Sequence, residues 1–161
     1  QPNYVNLIPM NDMSMTTYPG RTYRYLQVPP YYPFGFGLSY TKFQASVMVP
    51  RNQTVTRFRA ETFQRMEVTV TVQNAGHLRG DYVALAFIKF DNSLGKNALK
   101  QQLFAFDRVN LVPQESASLR FELTRDTLLR YNEKGVRGVY SGEYCIVIGV
   151  NHASSCFTLY K

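Results

Sequence analysis

Met66-Glu67-Val68-Thr69-Val70-Thr71-Val72-Gln73 is the stretch on which the fold turns. Apolar residues alternate with polar ones at period two, which is the signature of a strand with one buried and one solvated face. Asn74-Ala75-Gly76 ends the run with turn chemistry. The same alternation returns at Ala117, Leu119, Phe121 and Leu123 against Ser116, Ser118, Arg120 and Glu122, and again at Tyr144, Ile146 and Ile148.

Outward from these three, strands are expected over residues 40–49, 82–90, 101–111 and 155–160. Turn signals fall at Gly76–Gly80, Asn92–Gly95, Pro113 and Asn151–Ser154. About seven short strands at this spacing predict an all-β fold, an antiparallel β-sandwich. Residues 82–90 are apolar on both parities, as in a central strand covered on both faces. Only Arg125–Tyr131 reads as helical, for one or two turns.

The first forty residues differ in kind. Seven of the eight prolines and seven of the twelve tyrosines lie before residue 51, among few charges. Prolines remove backbone donors and hold their predecessors extended, so residues 1–39 read as an extended arm and 40–161 as the sandwich. Met10, Met13, Met15 and the tyrosines give the arm too much apolar body to lie free in water. It is expected either to wrap its own domain or to lie on a partner.

The 161 residues carry 18 Lys+Arg against 11 Asp+Glu, a net charge of +7, with 45% hydrophobic residues. No stretch nears the ~20 apolar residues of a membrane span, and this apolar content argues against disorder. Nucleic-acid binding would need clustered cations, yet Arg57/Arg59, Lys96/Lys100 and Lys134/Arg137 are scattered beside turns or acids. A solvated basic surface, or attraction to acidic polysaccharide, is the more natural reading of the charge. Gln1 opens without a Met or an apolar leader, so a targeting segment is expected to have been removed or to lie upstream.

Chemistry is sparse. His77 and His152 each sit in an expected turn without a metal-ligand companion, so neither a metal nor a cofactor is expected. Gly35-Phe36-Gly37-Leu38-Ser39 lacks both the third glycine of a phosphate loop and the glycine that follows a nucleophile elbow. Glu67, Glu122, Asp81, Asp91 and Asp126 suggest no carboxyl pair facing across a sugar. Cys145 and Cys156 fall on the outer parity of neighbouring strands, where a cross-strand disulfide fits, the alternative being two free thiols in a reducing compartment. Asn52-Gln53-Thr54 is an N-glycosylation sequon and, with the bridge, points outside the cell.

Tyr18-Pro-Gly-Arg-Thr-Tyr-Arg24 followed by Tyr32-Pro-Phe-Gly-Phe-Gly-Leu-Ser-Tyr-Thr-Lys-Phe43 resembles the C-terminal part of family 3 glycoside hydrolases, the β-xylosidases and β-glucosidases above all. The resemblance continues through Val68–Gly80, Lys100–Leu103, Leu111–Pro113 and Ser141–Tyr144. Ser14 stands where the family usually carries an arginine between the methionines. The resemblance implies a fibronectin type III-like sandwich that buttresses the catalytic domains, a (β/α)8 barrel and an α/β sandwich of the same precursor or a companion chain. It carries no catalytic residue onto this chain. Arg21, Tyr23, Tyr25, Phe34, Phe36 and Tyr40 would form the docking surface, with contacts between copies and with glycans as further candidates. A freestanding secreted structural or binding module derived from that family is the alternative.

Overall fold

A computed structural model describes residues 8–50, 57–91, 94–95, 97–150 and 152–161. The sequon at Asn52 lies outside the described residues.

Two sheets face each other. The smaller joins β1 (Phe43–Met48), β3 (Arg65–Asn74) and β6 (Ser116–Thr124) in the order β1-β3-β6. The larger runs β2-β10-β9-β4-β5, from β2 (Arg57–Arg59) through β10 (Ala153–Tyr160), β9 (Gly142–Ile148) and β4 (Gly80–Phe90) to β5 (Gln101–Leu111). A separate ribbon pairs β7 (Arg130–Tyr131) with β8 (Arg137–Gly138). All seven strands expected from the sequence are present.

The register puts the period-two faces together. Val68, Val70 and Val72 of β3 lie opposite Phe121, Leu119 and Ala117 of β6, and the three valines are fully buried. Tyr144, Ile146 and Ile148 of β9 meet them from the other sheet, beside Ala84, Ala86 and Ile88 of β4. Tyr144 and Phe157 stack at 5.5 Å between ring centroids. A buried aliphatic side chain in such a core contributes about 1.5–3 kcal/mol.

Two details refine the expected architecture. The sandwich is not wholly antiparallel, because β2 pairs parallel with β10, Arg57 opposite Thr158 and Arg59 opposite Tyr160. That contact joins segments about a hundred residues apart and leaves no trace in local periodicity. The arm is also not extended throughout: Thr22–Tyr25 forms one helical turn, α1, closed by Leu26 N–H on the Thr22 carbonyl at 3.0 Å. Prolines are absent from residues 20–28, so nothing there forbids a helical hydrogen bond.

The helical expectation for 125–131 resolves into a 3₁₀ turn at Arg125–Leu128. It aims the Arg125 guanidinium at the carbonyls of Ala60, at 2.7 Å, Phe63, at 3.2 Å, and Glu61, at 3.3 Å. One cation thereby fixes the loop between β2 and β3.

Candidate functional site

The arm lies on the outer face of the larger sheet and over its β5 edge. Lys100 N–H donates to the Arg24 carbonyl at 2.8 Å, and Leu103 N–H to the Tyr23 hydroxyl at 3.3 Å. The Arg24 guanidinium donates to Gln102 Oε1 at 3.1 Å. Backbone donors of an edge strand that would otherwise be open are thus partly covered.

Aromatics do the rest. The Tyr23 ring stacks on Phe34 at 4.5 Å, and both meet Phe87 of β4 edge-on, at 5.8 and 6.0 Å. Phe87 is the outer-parity residue that made 82–90 look covered on both faces, and the arm is its cover. Gly35 permits this approach: its φ is +87°, and a β-carbon there would lie 2.7 Å from Leu85 Cδ1. The FGFG run is therefore a packing device rather than a phosphate loop. Beyond it, Phe36 tilts against Tyr32 at 5.0 Å.

Arg21 shapes the other end of the arm. It donates to the carbonyls of Asp12 at 2.7 Å, Ser14 at 3.2 Å and Pro9 at 3.3 Å. All three carbonyls belong to its own arm, because the turn through Pro19 and Gly20 folds the methionine segment back. The Asp12 carboxyl is held below its ordinary value by the Ser14 N–H first, then the Thr17 hydroxyl, with Arg21 adding a smaller pull. Tyr25 is half-buried beside β5, and Tyr40 stands 99% exposed at the entry to β1.

The outward side of this construction is apolar and uncovered. Met10, Met13, Tyr31, Tyr32 and Leu38 of the arm are all exposed, as are Val83 and Phe106 on the sheet beside it, the latter at 70%. A cleft of about 840 Å³ runs between the 35–39 loop and the sheet, bordered by Phe36, Leu38, Phe43 and Asp81. Exposed apolar side chains thus gather along the arm and the sheet beside it.

Thr41, just past the end of the arm, anchors the entry to β1. Its hydroxyl donates to Asn74 Oδ1 at 2.7 Å, which also accepts from Gly76 N–H at 3.1 Å. The Asn74 amide donates to the carbonyls of Leu78 at 2.7 Å and Leu111 at 3.0 Å. Asn74 is fully buried, and all these partners hold three loops at one end of the sandwich. Sequence reasoning treated it only as the end of a strand. The available signal was its parity, since it continues the inward series of Val68, Val70 and Val72.

Arg130 was also missed. It is 2% exposed, with its guanidinium 4.7 Å from the Phe90 ring centroid and 5.1 Å from that of Tyr144. It donates to the Tyr144 hydroxyl at 3.0 Å and faces Asp91 at 3.7 Å. Burial pushes the Tyr144 phenol up, and Arg130 partly opposes this. Nothing in the local pattern separates this arginine from a solvated one.

Cys145 and Cys156 stand directly opposite each other on β9 and β10 and are joined by a disulfide. With Glu143 they form the one group of three metal-ligand types among the described residues, but the bridged sulfurs offer no thiolate. His152 Nδ1 lies 2.8 Å from the Tyr82 hydroxyl, and His77 is exposed in its turn. Glu67 and Glu122 are cross-strand neighbours, yet each faces an arginine, Arg120 and Arg65, on the open face of the small sheet. An open depression of about 550 Å³ is lined by the two acids and the two arginines. Among the described residues, these acids and histidines are engaged with the arginines, the tyrosine and the turn just named.

Comparison with known proteins agrees. A family model described as "Fibronectin type III-like domain" matches residues 82–152. The chain is 32% identical, over 92% of its length, to the exo-1,4-beta-xylosidase bxlB of Emericella nidulans, and 32% identical over 91% to the probable beta-D-xylosidase 7 of Arabidopsis thaliana. It spans only about a fifth of those relatives, 21% and 22%. Among solved structures, a GH3 exo-beta-xylosidase (XlnD) in complex with a xylobiose aziridine activity-based probe superposes on 99% of the chain with a TM-score of 0.79 and 26% identity, the chain covering 23% of it. A Listeria innocua beta-glucosidase, at 24% identity, shares the fold with a TM-score of 0.67 over 84% of the chain and 19% of that structure. Arm and sandwich together thus belong with the fibronectin type III-like domain found in family 3 glycoside hydrolases, β-xylosidases and β-glucosidases among them.

Proposed function

We propose that the chain is the non-catalytic accessory part of a secreted family 3 glycosidase and stabilises the catalytic domains by docking through its arm. The observation that carries this reading is the two-sided arm: Tyr23 and Phe34 close onto Phe87, while Met10, Met13, Leu38 and Tyr40 face outward uncovered. The relatives are about five times as long, which supports a barrel and an α/β sandwich domain as the partner surface. The substrate would be a β-linked xylo- or gluco-oligosaccharide, hydrolysed with retention by those domains. The Cys145–Cys156 bridge supports an oxidising compartment.

A freestanding binding or structural module is the second reading, favoured by the contact of Tyr23 and Phe34 with the chain's own sheet. Native mass measurement of the purified material, repeated under denaturing, non-reducing conditions, separates the two. Docking predicts this chain inside a particle several times its size, held covalently or released only on denaturation. A lone or self-associated 18.5 kDa species would overturn it.

A further inference from the structure

A second cleft, of about 760 Å³, opens between the helical turn α1 of the arm and the segment 129–133. Two arginines border it, Arg24 and Arg130. Neither the Nε of Arg24 nor the Nε and Nη1 of Arg130 has a hydrogen-bond partner, although all three nitrogens are shut from solvent. Arg130 Nη1 has only the ion-pair approach to Asp91 at 3.7 Å, longer than a hydrogen bond. Buried guanidinium N–H groups without acceptors are rare and costly, and two such side chains bordering one cleft call for an acceptor that the described residues do not supply.

The acceptor that suits a guanidinium best is a carboxylate, whose two oxygens match the planar fork. The rest of the wall suits a sugar ring. Tyr25 and the 62% exposed Tyr131 offer aromatic faces, and Thr16 and Asn97 offer polar groups for hydroxyls. Glu133 also borders the cleft; it would repel a simple anion yet accept hydrogen bonds from hydroxyls. A net charge of +7 favours the approach of an acidic glycan.

We propose that this cleft binds a hexuronate unit, its carboxylate taken by Arg24 and Arg130 and its ring lying against Tyr25 and Tyr131. The site does not depend on the docking reading, since either can fail alone.

The test is a titration of the intact, disulfide-bonded protein with D-glucuronate, D-galacturonate, D-glucose, acetate and inorganic phosphate, followed by arginine side-chain NMR. A uronate is expected to shift the Arg24 and Arg130 signals and to bind at least tenfold more tightly than glucose or acetate. Arg24→Gln and Tyr131→Ala should each weaken uronate binding about tenfold. Tyr131 is exposed, so that variant keeps the test open should Arg24→Gln fail to fold. Glucuronate binding no better than glucose would overturn the proposal. So would acetate or phosphate binding as well as the uronate, which would mark an unspecific anion site or a socket for an acidic side chain. Uronate binding unchanged in both variants would place it elsewhere and also overturn the proposal.

Discussion

Tyr23 and Phe34 stack at 4.5 Å, although the first belongs to the helical turn and the second to the proline-rich run after it. Both meet the edge of Phe87, so one residue of β4 clips two separate parts of the arm to the sheet. The clip fixes which arm residues face inward. By exclusion it also fixes which face outward.

Truncating the clip should therefore loosen the arm and uncover the sheet. Tyr23→Ala and Phe34→Ala are each expected to cost about 2 kcal/mol, at the low end for aromatic truncation because both rings are partly exposed. A double-mutant cycle should return a coupling of about 0.5–1.5 kcal/mol, from urea unfolding of all four proteins. Strict additivity would show that the stack contributes nothing beyond burial.

Asn74 joins four partners with one carboxamide. Asn74→Ala would leave the Gly76 N–H and the Leu111 carbonyl unpaired in a buried place and strip the part-buried Leu78 carbonyl of its donor, at an expected cost of about 3 kcal/mol. Thr41→Val removes only the Thr41 hydroxyl bond to Asn74 and should cost about 1 kcal/mol. A smaller loss for Asn74→Ala than for Thr41→Val would mean that water replaces the amide.

Arg130 sits between Phe90 and Tyr144 with much of its hydrogen bonding unmet. An apolar chain of similar length should fit there almost as well, whereas truncation opens a cavity. Arg130→Met is expected to change stability by less than about 1.5 kcal/mol, and Arg130→Ala to cost about 3 kcal/mol or more. Denaturation midpoints of the two variants decide it, and equal losses would contradict this account.

Alkaline pH should weaken the fold through Tyr82. Burial pushes its phenol from the ordinary 10.0 up to about 12, so the folded state keeps the proton that the unfolded state loses. Its contribution is complete below about pH 10 and disappears as the pH climbs through 12. The Tyr144 phenol, also raised by burial, acts with the same sign. Urea midpoints between pH 9 and 11.5 should fall less steeply in Tyr82→Phe than in the parent, and parallel curves would show that Tyr82 is not the group involved.

Reduction of Cys145–Cys156 releases a loop of sequence separation 11. A loop of that size corresponds to about 2–3 kcal/mol of stability. Because Tyr144, Ile146, Phe157 and Leu159 hold the same strands from the inner face, the reduced protein should stay folded with a lower melting temperature. Unfolding on reduction alone would show that β9 and β10 depend on the bridge.

The long strands were legible because each buries one face, and burial imprints a period of two on residues such as Met66, Val68, Val70 and Val72. Phe87 could be read as covered but not what covered it, since contacts between distant segments leave no local pattern. β2 and β8 are too short for any period to show. Asn74 announced itself by standing at an inward parity. Arg130 did not, because what makes it unusual lies in Phe90, Tyr144 and Asp91 rather than in its neighbours along the chain.

The outward face of the arm carries the central claim, and its protection can be measured directly. Hydroxyl-radical footprinting of Met10, Met13, Leu38 and Tyr40 would compare the native assembled protein with the isolated 161-residue chain. Docking predicts strong labelling of all four in the isolated chain and at least severalfold protection in the native protein, while Met48 on the small sheet labels equally in both. Equal labelling of the four residues in the two forms would contradict it.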